Sequence, residues 1–138
     1  ASQVKLAGVK HLNRLENILA RMEWRDESIF DGVLLDQQGD VIECTMSNIF
    51  ARFDKVLVTP DLSECGVSGI TRQRICDLSS TLNLTVEVTR LSLSRMMQAE
   101  ELIVCNSLYG AFQVSKIGDA TWRQQALART FRNLLAYD

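Results

Sequence analysis

The stretch DGVLLDQQGDVIECTMSNIFARF, residues 31–53, alternates short apolar segments with polar ones, a pattern typical of consecutive β-strands. Its polar residues 37–40 include a glycine and are typical of a hairpin loop. They predict two antiparallel strands, at 33–36 and 41–43. Because a third extended segment follows directly, the pattern predicts a β-meander.

Strands and helices are predicted on both sides of this stretch. Alternating or continuously apolar segments predict strands within residues 55–60, 84–92, 100–108 and 112–119. Amphipathic segments predict helices within residues 8–24, 63–83, 94–99 and 121–137. The order of these elements is mixed rather than a regular strand–helix alternation, so we expect an α/β or α+β domain.

Composition places the chain among ordinary globular domains. Its 138 residues are 46% hydrophobic and 23% charged, which suits one domain with its own core. The net charge of −2 provides no basic surface for nucleic acid or membrane, and no apolar run is long enough to span a bilayer. The four cysteines form no CxxC pair. We therefore expect reduced thiols, a cytoplasmic location and no metal site.

Two charged side chains are candidates for chemistry. Lys10 lies in GVKHLNR at the start of the predicted first helix, where the helix dipole disfavours a cation. A neutral amine is the form that reacts with a carbonyl carbon. Glu43 lies at the end of a predicted strand, on one face with Val41, and suits a cationic ring nitrogen. The alternative for both residues is an ordinary side chain in solvent.

Two further segments place polar groups at the ends of predicted elements. In GVSGITR, residues 66–72, a glycine-containing loop enters a helix whose free amides suit an anion, together with the Thr71 hydroxyl. The alternative is an ordinary helix start capped by Ser68. Asn106 and Ser107 follow an apolar strand in VCNSL, which is also typical of a simple strand-to-turn transition.

The order of these features resembles one enzyme family. Lys10 comes first, Glu43 and Asn48 follow in an E-x4-N pattern, and then come GITR and the polar strand end after AEE. This order is similar to that of the fold-type IV pyridoxal-phosphate enzymes, which include branched-chain and D-amino-acid aminotransferases and 4-amino-4-deoxychorismate lyase. The sequences of three segments look most like those of the lyase: LAGVKHLNRLE, VIECTMSNIF and IVCNSL. The resemblance covers essentially the whole chain.

The resemblance implies a cofactor, a fold and a role for each residue. The fold would be a C-terminal cofactor domain with β-meander or barrel-like sheets flanked by helices, in a homodimer. Lys10 would bind pyridoxal phosphate covalently, and Glu43 would keep its ring nitrogen protonated. The remaining roles are strand geometry near the cofactor for Asn48, and phosphate binding for Ile70, Thr71, Asn106 and Ser107. No role transfers to His11.

The chain departs from the family in length, because these enzymes usually have a smaller domain ahead of the lysine. We expect residues 1–138 to form a single C-terminal cofactor-binding domain, without the N-terminal domain that supplies a phosphate-binding arginine and part of the substrate pocket. The expected function is a lyase that forms p-aminobenzoate and pyruvate in folate biosynthesis. Two alternatives are an aminotransferase for D- or branched-chain amino acids and an inactive module for binding or assembly.

Overall fold

The structure, a computed structural model, describes residues 15–22, 27–61 and 69–136. The predictions for Lys10, His11, Cys65 and Ser68 lie outside these residues. Of the helices within the described ranges, none has the length and apolar character needed to cross a membrane.

Within the described residues, nine strands join into one sheet. They are β1 (Leu15–Met22), β2 (Glu27–Leu35), β3 (Val41–Cys44), β4 (Asn48–Phe53), β5 (Val56–Pro60), β6 (Thr85–Thr89), β7 (Glu101–Asn106), β8 (Gly110–Ile117) and β9 (Ala120–Thr121). Their order in the sheet is β3-β2-β1-β8-β7-β4-β5-β6, with β9 paired to β8. Neighbours are antiparallel except β5 and β6, which are parallel.

Three helices accompany the sheet in the part of the chain that the structure describes. They are α1 (Ile70–Ser79), which continues into a 3-10 turn, α2 (Leu93–Met96) and α3 (Leu127–Ala136). The helix α1 lies in the connection between the parallel strands β5 and β6, where a long crossover is required. The predicted mixed α+β fold, with a sheet flanked by helices, is confirmed.

The hairpin predicted at residues 37–40 is present. It joins β2 to β3, and Gly39 has a φ of +83°, which favours glycine. The carboxylate of Asp36 accepts hydrogen bonds from the main-chain nitrogens of Gln38 and Asp40, both at 2.9 Å. The turn chemistry that predicted this loop therefore also holds it in shape.

The predicted first helix is wrong for the described residues 15–22, which form strand β1. Leu12, Leu15, Leu19 and Met22 have helical spacing, but β1 pairs with β2 along its whole length and with β8 on its other side. Pairing on two sides satisfies the backbone, and one of the two partners, β8, is distant in sequence. Such tertiary context overrides local helical periodicity.

The last helix begins later than predicted. Helix α3 starts at Leu127, because Ala120–Thr121 forms a strand with β8. The indole nitrogen of Trp122 then donates to the Ala99 carbonyl at 3.0 Å, which holds the next residues against the fold. The residues directly before Leu127 therefore contact the rest of the fold and are not part of the helix.

The two faces of the sheet are buried in different ways. Phe50 and Ile103 pack in a cluster with Ile75 of α1 and Phe131 of α3, so the helices cover one face. Their strand neighbour Ile49 belongs to a second cluster, as the alternation of side chains requires. Phe131 is fully buried, and burial of a phenylalanine contributes about 3 kcal/mol.

The sheet curls so that its β3 end approaches both β4 and the segment that follows β6, at the other end of the sheet. Residues 45–47 connect β3 directly to β4, although four strands separate them in the sheet order. The Cys44 nitrogen donates to the Ser47 carbonyl at 2.8 Å, and the Val41 nitrogen donates to the Leu91 carbonyl at 2.6 Å. This curl places the turn 45–47 beside the end of β7.

Candidate active site

A cavity of about 380 Å³ opens where three separate segments meet. One wall is the end of β3 with the turn that follows it, the second is the start of α1, and the third is the end of β7. The lining residues are Glu43, Cys44, Thr45, Met46, Ser47, Asn48, Gly69, Ile70, Thr71, Asn106 and Ser107.

Six of the seven residues predicted for the site line this one cavity. The seventh, Lys10, lies outside the described residues. The six come from segments separated by tens of residues, and the fold brings them together: Glu43, Asn48, Ile70, Thr71, Asn106 and Ser107. The structure shows where they lie, and their roles toward a cofactor stay predictions.

Glu43 is buried, with 8% of its surface exposed, so it is not the solvent-facing strand end that was the alternative. The prediction that it shares a face with Val41 by strict alternation is wrong. Glu43 pairs with Leu34 while Val41 pairs with Leu35, so β3 carries an extra residue at this point. Val41 and Cys44, three residues apart, consequently pack in the same core cluster. Such a bulge redirects side chains beside a site.

The start of α1 provides main-chain donors for an anion. Its N-cap is Gly69, and no described side chain caps the helix. The first amides of a helix have no acceptor within it, and they carry the positive end of its dipole. The Ile70 side chain is 79% exposed while Thr71 is buried, so the hydroxyl of Thr71 lies on the inner side. Together these groups suit a phosphate.

A close approach between two segments explains why residue 69 is glycine. Its φ of −81° is open to any residue, but a Cβ added there would lie 2.8 Å from Oδ1 of Asn48. Asn48 is itself buried on β4. The lack of a side chain at Gly69 therefore lets Asn48 pack directly against the start of α1.

We expect Gly69→Ala to displace the end of the Asn48 side chain and weaken cofactor binding by about threefold, because the clash involves a side-chain atom and no backbone. The measurement is a titration of the full-length protein with pyridoxal phosphate, followed by absorbance. In an Asn48→Ala background the same change should cost little more, because the clash is gone. An equal loss in both backgrounds would show that the contact is not the cause.

The side chain of Asn106 is engaged within the protein. Its amide nitrogen donates to the Met46 carbonyl at 2.7 Å, and its Oδ1 accepts from the nitrogens of Leu108 and Tyr109 at 2.9 and 3.0 Å. Asn106 thus joins the turns on two walls of the cavity. Ser107, the next residue, lines the cavity within the second of these turns.

Two cysteines near the cavity are held as neutral thiols. Burial is the largest cause that raises the pKa of Cys44 well above its usual value, and the Asp31 carboxylate adds to it. Burial likewise raises the pKa of Cys105 to about 12. Since the thiolate is the reactive form, neither side chain is suited to act as a nucleophile at neutral pH.

Sequence reasoning missed Asp31. Its carboxylate is buried and accepts hydrogen bonds from the main-chain nitrogen of Met46 and the hydroxyl of Ser47, both of which line the cavity. The available signal was an aspartate between the apolar pairs 29–30 and 33–34 of its strand, because a buried carboxylate requires donors. The donors themselves are 15 and 16 residues away, so only the fold identifies them.

The lining groups fit a small molecule with a phosphate at one end and a cationic group at the other. The amides of α1 and the hydroxyls of Thr71 and Ser107 suit the phosphate, and the Glu43 carboxylate suits the cation. The cavity volume is within the range of small-molecule sites. Pyridoxal phosphate has both features.

The comparison with known families decides the identity of the fold. The sequence pattern of the family described as amino-transferase class IV matches residues 1–117. The chain belongs to this family. Class IV aminotransferases use pyridoxal 5'-phosphate as their cofactor, in agreement with the groups that line the cavity.

Individual class IV relatives include both lyases and aminotransferases. The chain is 38% identical to aminodeoxychorismate lyase of Vibrio harveyi over 83% of this chain and 42% of that one. It matches the crystal structure of 4-amino-4-deoxychorismate lyase from Pseudomonas aeruginosa with a TM-score of 0.75 and 29% identity, over 84% and 43% of the two chains. It is also 38% identical to a probable branched-chain-amino-acid aminotransferase of Rickettsia bellii, over 72% of this chain and 33% of that one. The chain thus spans less than half the length of each of these relatives.

Proposed function

We propose that this chain is the cofactor-binding domain of an aminodeoxychorismate lyase, which converts 4-amino-4-deoxychorismate into p-aminobenzoate and pyruvate in folate biosynthesis. The observation that carries the proposal is the convergence of Glu43, the start of α1 and the end of β7 on one cavity. The similarity to the Vibrio harveyi and Pseudomonas aeruginosa lyases supports the choice of reaction.

In this proposal the described residues bind and orient the cofactor. The amides of Ile70 and Thr71 and the hydroxyl of Thr71 bind the phosphate group, and Ser107 contacts it from the end of β7. The carboxylate of Glu43 keeps a proton on the ring nitrogen through a charge-assisted hydrogen bond. Burial of Glu43 strengthens that interaction, because water does not screen it.

Lys10 is proposed to bind the cofactor covalently through its Nζ atom. Its amine would also be placed to move protons at the substrate. Bound pyridoxal phosphate supplies an electron sink for the bond that breaks when pyruvate leaves. Loss of pyruvate makes the substrate ring aromatic, which favours the product.

The relatives contain a region that this chain does not match. We propose that the corresponding region of the full-length protein supplies the rest of the substrate pocket. The proposal also includes a homodimer in the cytoplasm. Both features rest on the family resemblance.

The lyase assignment is tested by supplying 4-amino-4-deoxychorismate to the full-length protein and measuring pyruvate with coupled lactate dehydrogenase. Parallel assays with D-alanine or L-leucine and 2-oxoglutarate measure transamination. We expect pyruvate release to be the faster reaction by about tenfold or more. The pocket would then stabilise the transition state of the lyase reaction better than that of transamination.

Transamination that is faster by a similar factor would contradict the lyase assignment and leave an aminotransferase of the same family. The absence of both reactions in a protein that binds the cofactor would favour the binding-module alternative.

A further inference from the structure

We propose that Asp31 and Asn106 are positioning residues of the cavity, because together they fix the turn 45–47 that forms one of its walls. Asp31 accepts a hydrogen bond from the main-chain nitrogen of Met46, and Asn106 donates one to its main-chain oxygen. The two side chains lie on different strands. The proposal rests on the proposed function in one respect, which is the use of pyridoxal phosphate as the probe.

Asp31, on β2, holds the turn from one side. Its side chain is 7% exposed. Oδ1 accepts from the nitrogens of Gly32 and Met46 at 2.8 and 2.9 Å, and Oδ2 accepts from the Ser47 hydroxyl at 2.7 Å. A carboxylate removed from water requires such donors, and hydrogen bonds to a charged acceptor are stronger than neutral ones. Two of its three donors therefore fix the conformation of the turn.

Asn106, at the end of β7, holds the turn from the other side. Its Nδ2 donates to the carbonyl of Met46 at 2.7 Å, while its Oδ1 accepts from the nitrogens of Leu108 and Tyr109. The Asn106 side chain thus donates to the turn 45–47 and accepts from the turn that follows β7. This arrangement fixes the separation of the two turns across the cavity.

The fixed turn lies between two residues of the candidate site. Glu43 precedes it, Asn48 follows it, and the Cys44 nitrogen closes it by donating to the Ser47 carbonyl. The direction in which Glu43 and Asn48 enter the cavity depends on the conformation of this turn. A site that is already ordered loses less entropy on binding, so loss of either tether should lower affinity for the cofactor.

The hairpin provides a matched control. Asp36, also next to β2, accepts hydrogen bonds from two main-chain nitrogens of the 37–40 turn. It is not among the residues that line the cavity. Asp36→Asn therefore makes the same chemical change as Asp31→Asn in a turn that does not contact the site.

The experiment compares the full-length wild-type protein with Asp31→Asn, Asn106→Asp and Asp36→Asn. Asn106→Asp keeps the acceptor for the second turn, removes the donor to Met46 and adds a negative charge to the cavity wall. Hydrogen exchange at residues 45–47 separates loss of the tether from repulsion of the cofactor phosphate. Pyridoxal phosphate is titrated into each protein, and the thermal midpoint without cofactor is measured separately. We expect about tenfold weaker binding or more for Asp31→Asn, as for loss of one charge-assisted hydrogen bond, and about threefold weaker binding for Asn106→Asp, whose bond to Met46 joins two neutral groups. Asp36→Asn should keep wild-type affinity.

Two results would overturn the proposal. One is wild-type affinity in both Asp31→Asn and Asn106→Asp. The other is an equal loss of affinity in Asp36→Asn, since that would reflect general destabilisation of the hairpin. A wild-type protein that binds no pyridoxal phosphate would contradict the proposed function instead. In that case hydrogen exchange, measured without cofactor, still tests the tethering. The amides of residues 45–47 should exchange faster in both Asp31→Asn and Asn106→Asp than in the wild type. Unchanged exchange would exclude the tethering.

Discussion

Glu43→Gln is expected to lower turnover by about a hundredfold or more, the typical contribution of a group that controls a proton in catalysis. The glutamine keeps the size of the side chain but cannot hold a proton on the ring nitrogen as a carboxylate does. Because Glu43 is buried in the wall of the cavity, water cannot take its place as the partner of the ring nitrogen. The cofactor should stay bound, as the phosphate contacts are unchanged.

The control for this prediction is Glu87→Gln, which makes the same change at an exposed position on β6. It should leave both turnover and cofactor absorbance as in the wild type. Normal turnover in Glu43→Gln would mean that the carboxylate has only a structural role at the end of β3.

Lys10→Ala is expected to abolish turnover, a loss of more than about a thousandfold, as for removal of other covalent catalytic groups. No other amine in the chain lies in a motif suited to bind the cofactor covalently. The measurement is pyruvate release by the full-length protein under the conditions used for the wild type.

Lys5→Ala is the matched control, because it removes an amine five residues earlier in the same segment. It should retain wild-type turnover. Lys10→Arg keeps a cation and should be as inactive as Lys10→Ala, since a guanidinium does not form the covalent bond. Activity in Lys10→Arg would assign the lysine an electrostatic role instead.

The fold was predictable wherever local chemistry and long-range pairing agree. The turn at residues 37–40 has its own capping carboxylate, Asp36, and the hairpin follows from it. For residues 15–22 the two levels disagree. Leucines at helical spacing predicted a helix, but pairing with β2 and β8 makes this segment a strand. The β8 partner is far away in the chain, so a single window of sequence does not reveal it.

The site was predictable as a set of segments but not in its detailed geometry. The motifs around Glu43, Thr71 and Ser107 were recognised by their order, and the structure brings them to one cavity. The bulge in β3 was not predicted, because it depends on the register with Leu34 and Leu35. The contribution of Asp31 was missed for a similar reason, since its donors lie just beyond the last paired residues of β2 and β3, in a register that was not predicted.

In the proposed function this cavity binds pyridoxal phosphate, and Lys10 holds it covalently. The most direct test is borohydride reduction of the full-length protein with pyridoxal phosphate, followed by peptide mapping of the four lysines in residues 1–138. We expect a pyridoxyl group on Lys10. A label on Lys5, Lys55 or Lys116 with Lys10 unmodified would contradict it.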